Sequence, residues 1–235
     1  MIEAAATGEE RSFTPALGHH ALTPFYDMAI RLLTSERIWR TILVEQIALA
    51  AGDRLIDVGC GTGSLLAALH KSCLEAELFG IEPDPRVLAV SKARFPETEA
   101  SVLWHNGFIH NLKLPAGWVP NKIVSSLVFH QVPLAEKATL LDAILELLAP
   151  GGEFFLADYM TQESALMRGL FRVTVQCLDG LKDTRPNAEG VLEVLLCERF
   201  PDTVRVRQIH TPTGTISIWR ATKPDVSLPL LLAAT

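Results

Sequence analysis

Cysteine is scarce and scattered. The four in 235 residues (Cys60, Cys73, Cys177, Cys197) form no C-x-x-C pair, which excludes the ligand spacing of a structural zinc site and argues against a disulfide framework. They read as reduced thiols of a cytoplasmic protein, and apolar burial rather than reactivity is the expectation for Cys177 and Cys197. Long hydrophobic runs are also missing. No segment approaches the ~20 apolar residues of a membrane span, and the closing VSLPLLLAAT is short and interrupted by Pro229. The opening MIEAAATGEERS carries acids where a secretory signal needs positive charge followed by an apolar run. Clusters of Lys and Arg are absent as well. With a net charge of −6 and its basic residues dispersed, the chain offers nothing to attract nucleic acid or an anionic membrane surface.

What is present is a globular composition, 49% hydrophobic and 20% charged, with neither repeats nor low-complexity linkers. One domain over 1–235 is expected. Within it, 1–12 read as disordered, 20–50 as N-terminal helices with Ile38, Ile42 and Ile47 at helical spacing, and 51–222 as a layered core. In the core, short apolar runs alternate with helical stretches. Strands are predicted at 54–59, 77–83, 101–107, 122–130 and 152–159, and helices at 64–73, 84–95 and 133–149. Asp84 is a natural N-cap with Pro85 in the first turn. This alternation predicts an α/β fold of the doubly wound kind with a parallel sheet. After a helical region at 161–200, TVRVRQIH (203–210) and TISIWRAT (215–222) lie too close together to be anything but a hairpin, so the last strand is antiparallel.

The stretch LIDVGCGTG (55–63) closes the first strand with an acid and places glycine at 59, 61 and 63. In an open parallel sheet the ligand sits at the carboxyl ends of the strands. Glycines there let the backbone turn sharply beside it, and the helix starting near Ser64 directs free N–H groups at it. The spacing departs from the dinucleotide fingerprint G-x-G-x-x-G. Asp57 would repel a pyrophosphate but attract an ammonium or sulfonium. Glu82, ending the next strand, is placed to accept from two ribose hydroxyls.

LIDVGCGTG followed by GIEPD and by LAPGG before a strand resembles the class I S-adenosylmethionine-dependent methyltransferases, over about residues 20–222. SSLVFHQVP further resembles the small-molecule, ubiquinone/menaquinone-biosynthesis-like branch. The resemblance implies a Rossmann-like seven-stranded, mostly parallel sheet with an antiparallel last strand, and S-adenosyl-L-methionine as cofactor. It implies a small, lipophilic or aromatic methyl acceptor under a small helical cover at 160–186. By the same resemblance Asp57, Gly59, Cys60, Gly61 and Gly63 meet the methionyl part, with Ser126 at the end of the fourth strand. Glu82 takes the ribose, Pro83 lies by the adenine, and Tyr26 lies over the cofactor. Where the family often has a Gly-Asp pair that reads the adenine amine, this chain has Asn106-Gly107-Phe108. Either Asn106, a backbone group or apolar contact then serves. The alternatives are an NAD-dependent oxidoreductase, which Asp57 and the glycine spacing oppose, and a cofactor-binding module without transfer.

His130 is the candidate catalytic residue, as a general base with a pKa near neutrality; the alternative is a structural or pocket-shaping histidine. Asp158-Tyr159, expected after the fifth strand, either border the acceptor pocket or lie in a loop. His19, His20, His105 and His110 read as surface or packing residues, and Trp104 and Trp118 as core. Met160, Leu166, Met167, Leu170, Phe171 and Val175 form an apolar face that serves either core packing or a lipophilic acceptor. No metal pattern emerges.

Overall fold

Apolar runs four to seven residues long, separated by amphipathic segments, bury both kinds of surface by stacking helices on a sheet. The computed structural model describes residues 34–95 and 102–225. The expectations for residues 1–33, which include Tyr26, His19, His20 and the start of the N-terminal helices, lie outside the described residues, as does the closing apolar stretch. The elements in chain order are α1 (Glu36–Ile47), β1 (Arg54–Val58), α2 (Ser64–Ser72), β2 (Glu77–Glu82), α3 (Pro85–Lys92), β3 (Val102–Asn106), β4 (Lys122–Ser126), α4 (Leu134–Leu147) and β5 (Glu153–Tyr159). The short helices α5 (Ala165–Val173), α6 (Val175–Asp179), α7 (Leu181–Ala188) and α8 (Val191–Arg199) then precede β6 (Asp202–Thr211) and β7 (Gly214–Thr222).

The seven strands form one sheet in the order β3-β2-β1-β4-β5-β7-β6. Strands β1 to β5 pair in parallel, and β7 is antiparallel to both β5 and β6. This is the doubly wound, mostly parallel sheet expected. Successive strand residues face opposite sides, and two apolar layers result. Leu55, Leu78 and Phe155 point to the side of α1 and α2, whereas Ile56, Phe79 and Phe154 point to α4 and α8. Asp84 caps α3 as expected, accepting from the backbone of Arg86 at 2.8 Å. Trp118 is buried edge-on to Phe79 and Trp104 packs half-buried on Phe95. Among the described residues no helix is long and apolar enough to cross a membrane.

Several expectations need correction. The inward stripe of α1 is Trp39, Leu43 and Ile47, while Ile38 is exposed. Strand β4 ends at Ser126 instead of running to 130, because Leu127 turns into the left-handed region at φ 55° and Phe129–Gln131 wind into a 3-10 turn. Asp158 and Tyr159 lie within β5, as the strand read at 152–159 has them, and not after it; both are buried. Cys60 is buried, but Cys177 and Cys197 are exposed. The apolar face of the cover splits: Met167, Phe171 and Val175 are buried, whereas Leu166 is 68% exposed.

Candidate cofactor site and its supporting network

The chain winds outward from β1 through β2 to β3, then crosses back to β4. The carboxyl ends of β1 and β4 therefore flank the crevice where such sheets bind ligands. The loop of residues 59–63 fills this point. Its three glycines all have positive φ, but each is required differently. A Cβ on Gly59 would overlap the Cγ2 methyl of Val128, and one on Gly63 would collide with Ser91, whose Cβ and Cα lie 3.1 and 3.2 Å away. At Gly61 a Cβ would meet nothing within 4 Å. So the protein's own packing demands the outer two glycines, and the middle one faces open space.

Asp57 lies in β1 with no exposed surface, and both carboxylate oxygens are buried without a hydrogen-bond partner. Burial pushes its pKa up to about 7; the Arg40 guanidinium pulls the other way and the Glu82 carboxylate adds to the rise. Burying an unpaired carboxylate is costly, and a cation entering the loop would relieve it. Glu82, at the end of β2, braces the same loop. Its Oε2 accepts from the Gly61 N–H at 3.1 Å and its Oε1 from Asp84 N at 3.0 Å. Each oxygen keeps a lone pair for a ligand hydroxyl. Burial raises the Glu82 pKa as well. The Cys60 thiol, buried beside these two acids, is pushed far up by burial first and then by their charges, and stays neutral.

Asn106 sits at the end of β3 and donates from Nδ2 to the carbonyls of Glu82 and Pro83, both at 2.9 Å. Its amide nitrogen thus ties β3 to β2, leaving Oδ1 as the side-chain acceptor. Gly107 donates to the Glu82 carbonyl at 3.2 Å. Phe108 is 38% exposed and stacked on His110, with ring centroids 5.5 Å apart. His105 is half-buried. Ser126 closes β4, paired in register with Ala157.

The turn after β4 is organised by Asp158. Its Oδ2 accepts from the backbones of Val128 and Phe129 at 3.0 and 2.7 Å, and its Oδ1 faces His130 Nδ1 at 2.7 Å. The other ring nitrogen, Nε2, stands 3.4 Å from Asp179 at the end of α6. Burial disfavours the imidazolium, but Asp158 and then Asp179 outweigh it, raising the pKa to about 9. The two carboxylates thus favour the protonated ring. Of the two readings of His130, the geometry favours the structural one: the ring is 3% exposed and each nitrogen faces a carboxylate. Tyr159 is edge-on to His130 and bonds Thr213 Oγ1 at 2.6 Å.

Asp158 and Lys137 carry this network; the sequence reading has Asp158 only as a pocket-border or loop residue and does not single out Lys137. Lys137 is fully buried on α4, donating to the carbonyls of Phe129, Val132 (2.7 Å) and Asp183 (3.2 Å). A signal for it existed: Lys137 occupies the stripe it shares with Leu141 and Ile144, where an apolar residue belongs. Arg40 also went unremarked. Among the described residues no group of three or more His, Cys, Asp or Glu side chains is placed to hold a metal ion.

The profile of the family described as "Methyltransferase domain" matches residues 55–152, from the glycine-loop strand to the start of β5. This stretch, under half of the chain, is thus similar to a methyltransferase domain. A ubiquinone/menaquinone biosynthesis C-methyltransferase from Syntrophotalea carbinolica is 24% identical over 64% of this chain and 63% of its own length. The alignment thus spans under two thirds of that relative. A demethylmenaquinone methyltransferase from Deinococcus radiodurans is 24% identical over 86% of this chain and 84% of its own. The solved structure of the N-methyltransferase NodS from Bradyrhizobium japonicum, in complex with S-adenosyl-L-homocysteine, shares the fold. Its TM-score is 0.60 at 17% identity, covering 80% of this chain and 87% of that one.

Proposed function

We propose that this protein transfers the methyl group of S-adenosylmethionine to a small organic acceptor, with lipophilic or aromatic molecules as the favoured class. The observation that carries the reading is Asp57: a carboxylate with both oxygens buried and unpartnered, beneath a glycine loop that opens at Gly61. An ammonium group is the partner this site lacks. Asp57 would hold it and Arg40, whose charge already acts on Asp57, would face the accompanying carboxylate. Glu82 would take the ribose hydroxyls on its spare lone pairs. Pro83, Asn106, Gly107 and Phe108 would line the adenine side, with Asn106 Oδ1 as an acceptor for the exocyclic amine.

The cofactor supplies an activated methyl on a sulfonium, so the residues of the chain must chiefly align and dehydrate. Holding two reactants in line can supply roughly 7–11 kcal/mol. Gly59 packed on Val128 sets the distance between the cofactor loop and the β4 turn, and Ser126 ends the strand between them. In this reading His130 shapes that turn and does not serve as the base. An acceptor that is a carbon nucleophile or an amine needs none. The preference for a lipophilic acceptor draws support from the two relatives named for quinone methylation. Four free cysteines fit a reducing, cytoplasmic setting.

Calorimetric titration with S-adenosylhomocysteine, with NADH as control, tests the reading. Micromolar binding of the first and none of the second is expected. Binding of NADH alone would overturn it, and binding of S-adenosylhomocysteine without turnover on any acceptor would leave a binding module.

A further inference from the structure

Helices α5–α7 form the cover, and α6 and α7 meet the core through polar groups. Three residues four apart in sequence face inward. Asp179 reaches His130 Nε2 at 3.4 Å, the Asp183 carbonyl accepts from Lys137 at 3.2 Å, and Asn187 Nδ2 donates to the Tyr159 carbonyl at 2.9 Å. Thr184 and Asn187 are fully buried, whereas the apolar Leu178 and Leu181 are 63% and 55% exposed. Apart from Val175, buried at the start of α6, and Ala188, packed on the core at the end of α7, the groups these two helices turn inward are polar. Hydrophobic burial, the usual force that seats a helix, contributes little along this seam.

The charges explain what replaces it. On the core side stand two buried cations, His130 in the turn after β4 and Lys137 on α4, against one carboxylate, Asp158 on β5. The cover brings the two remaining charges near them: Asp179, whose side chain is 19% exposed, and Asp183, which acts on Lys137. Without the cover, the core keeps more buried positive than negative charge, an arrangement of high cost. With it, three carboxylates stand around the two cations, Asp179 beside His130 and Asp183 adding its charge to that of Asp158 on Lys137.

We propose that Asp179 is a positioning residue: through His130 it latches the cover helices α6 and α7 onto the turn that follows β4, and the cover closes over the acceptor side only when this pair is made. The latch rests on reading the β4 turn as the place of methyl transfer, but its first test does not require turnover.

Hydrogen exchange is measured on the full chain and on Asp179→Asn and Asp179→Glu. In the Asn variant, amides of residues 175–188 should exchange at least about tenfold faster, with β1 and α2 unchanged; the Glu variant should restore most of the protection. The His130 ring, followed by NMR, should titrate near 9 in the native protein and about one unit or more lower in the Asn variant. A cover that exchanges alike in all three proteins, or a ring whose titration ignores residue 179, would overturn the latch. S-adenosylhomocysteine titration on the same samples separates the two ideas. If the native protein fails to bind it, the cofactor reading falls while the exchange result still decides the latch. A loss of affinity confined to the Asn variant would show that residue 179 acts on the cofactor loop and would also count against the latch.

Discussion

Gly59 and Val128 are in such close register that a single added carbon on the glycine would overlap the valine methyl. The contact joins the loop after β1 to the turn after β4, the two segments between which methyl transfer would take place. Gly59→Ala should therefore damage the fold. Overpacking costs about 1–3 kcal/mol and the left-handed backbone about 1–2 more, so Tm should fall by roughly 10 °C. Gly61→Ala meets no such neighbour. It should lose only the backbone contribution in thermal melts and yet weaken S-adenosylhomocysteine at least as much, because its Cβ enters the open side of the loop.

Asp57 sets stability against binding. Replacing it with Asn should cost on the order of 10²-fold in S-adenosylhomocysteine affinity, as expected when one side of a buried charge pair is removed. The same substitution should stabilise the ligand-free protein. Folding raises this acid from 3.8 to about 7, so the cost is fully present above pH 7 and disappears as pH falls through 3.8. Melts of both proteins at pH 7.5 should favour the Asn variant by up to a few kcal/mol. A native protein that melts higher would refute the buried, unpartnered carboxylate.

Cofactor affinity should depend on pH for the same reason. A cation bound to Asp57 requires its ionised form, and in the free protein that form predominates only above about 7. Below pH 7, each unit should weaken S-adenosylhomocysteine up to tenfold, with a proton released on binding. Calorimetry in two buffers of different ionisation heat would detect the proton.

His130 gives the opposite end of the pH scale its signature. Its pKa is raised from 6.5 to about 9, so its contribution is whole below 6.5 and is lost as pH climbs through about 9. Lys137, lowered from 10.5 to about 8, works in the other direction from there upward. The clean interval lies between pH 7 and 8. There the native protein should lose up to ~1 kcal/mol more in denaturant titrations than His130→Gln, which keeps only the tail of the Asp57 titration. Asp158→Asn strips the histidine of its nearer partner and should cost about 3–5 kcal/mol.

The alternation of short apolar runs with helices, and the hairpin at 203–222, made the sheet readable from the sequence because each reports a local periodicity. Asp57, Gly59, Gly61 and Glu82 were readable because one chain segment or its neighbour carries them, and they do converge at the β1 end. The end of β4 was not readable. VSSLVFH has the look of an uninterrupted strand, and what stops it is a carboxylate on β5, about thirty residues away, that takes the N–H groups of Val128 and Phe129. The role of His130 was hidden for the same reason, since its partners Asp158 and Asp179 come from two other elements. On α5 the apolar set was read too widely: Met167 and Phe171 form the buried stripe, and Leu166, one position off it, is exposed.

The position of β7 has a consequence for synthesis. It lies between β5 and β6, although residues 214–222 are among the last described. Until they have left the ribosome, β5 presents an unpaired edge whose neighbours are already in place, and the buried Asp158 has one side of its strand open. The glycine-loop half of the sheet, built from local βαβ units, can form early; the half that shapes the β4 turn waits for a partner more than fifty residues downstream. An emerging chain would thus own the loop proposed for the cofactor before it owned the surface proposed for the acceptor.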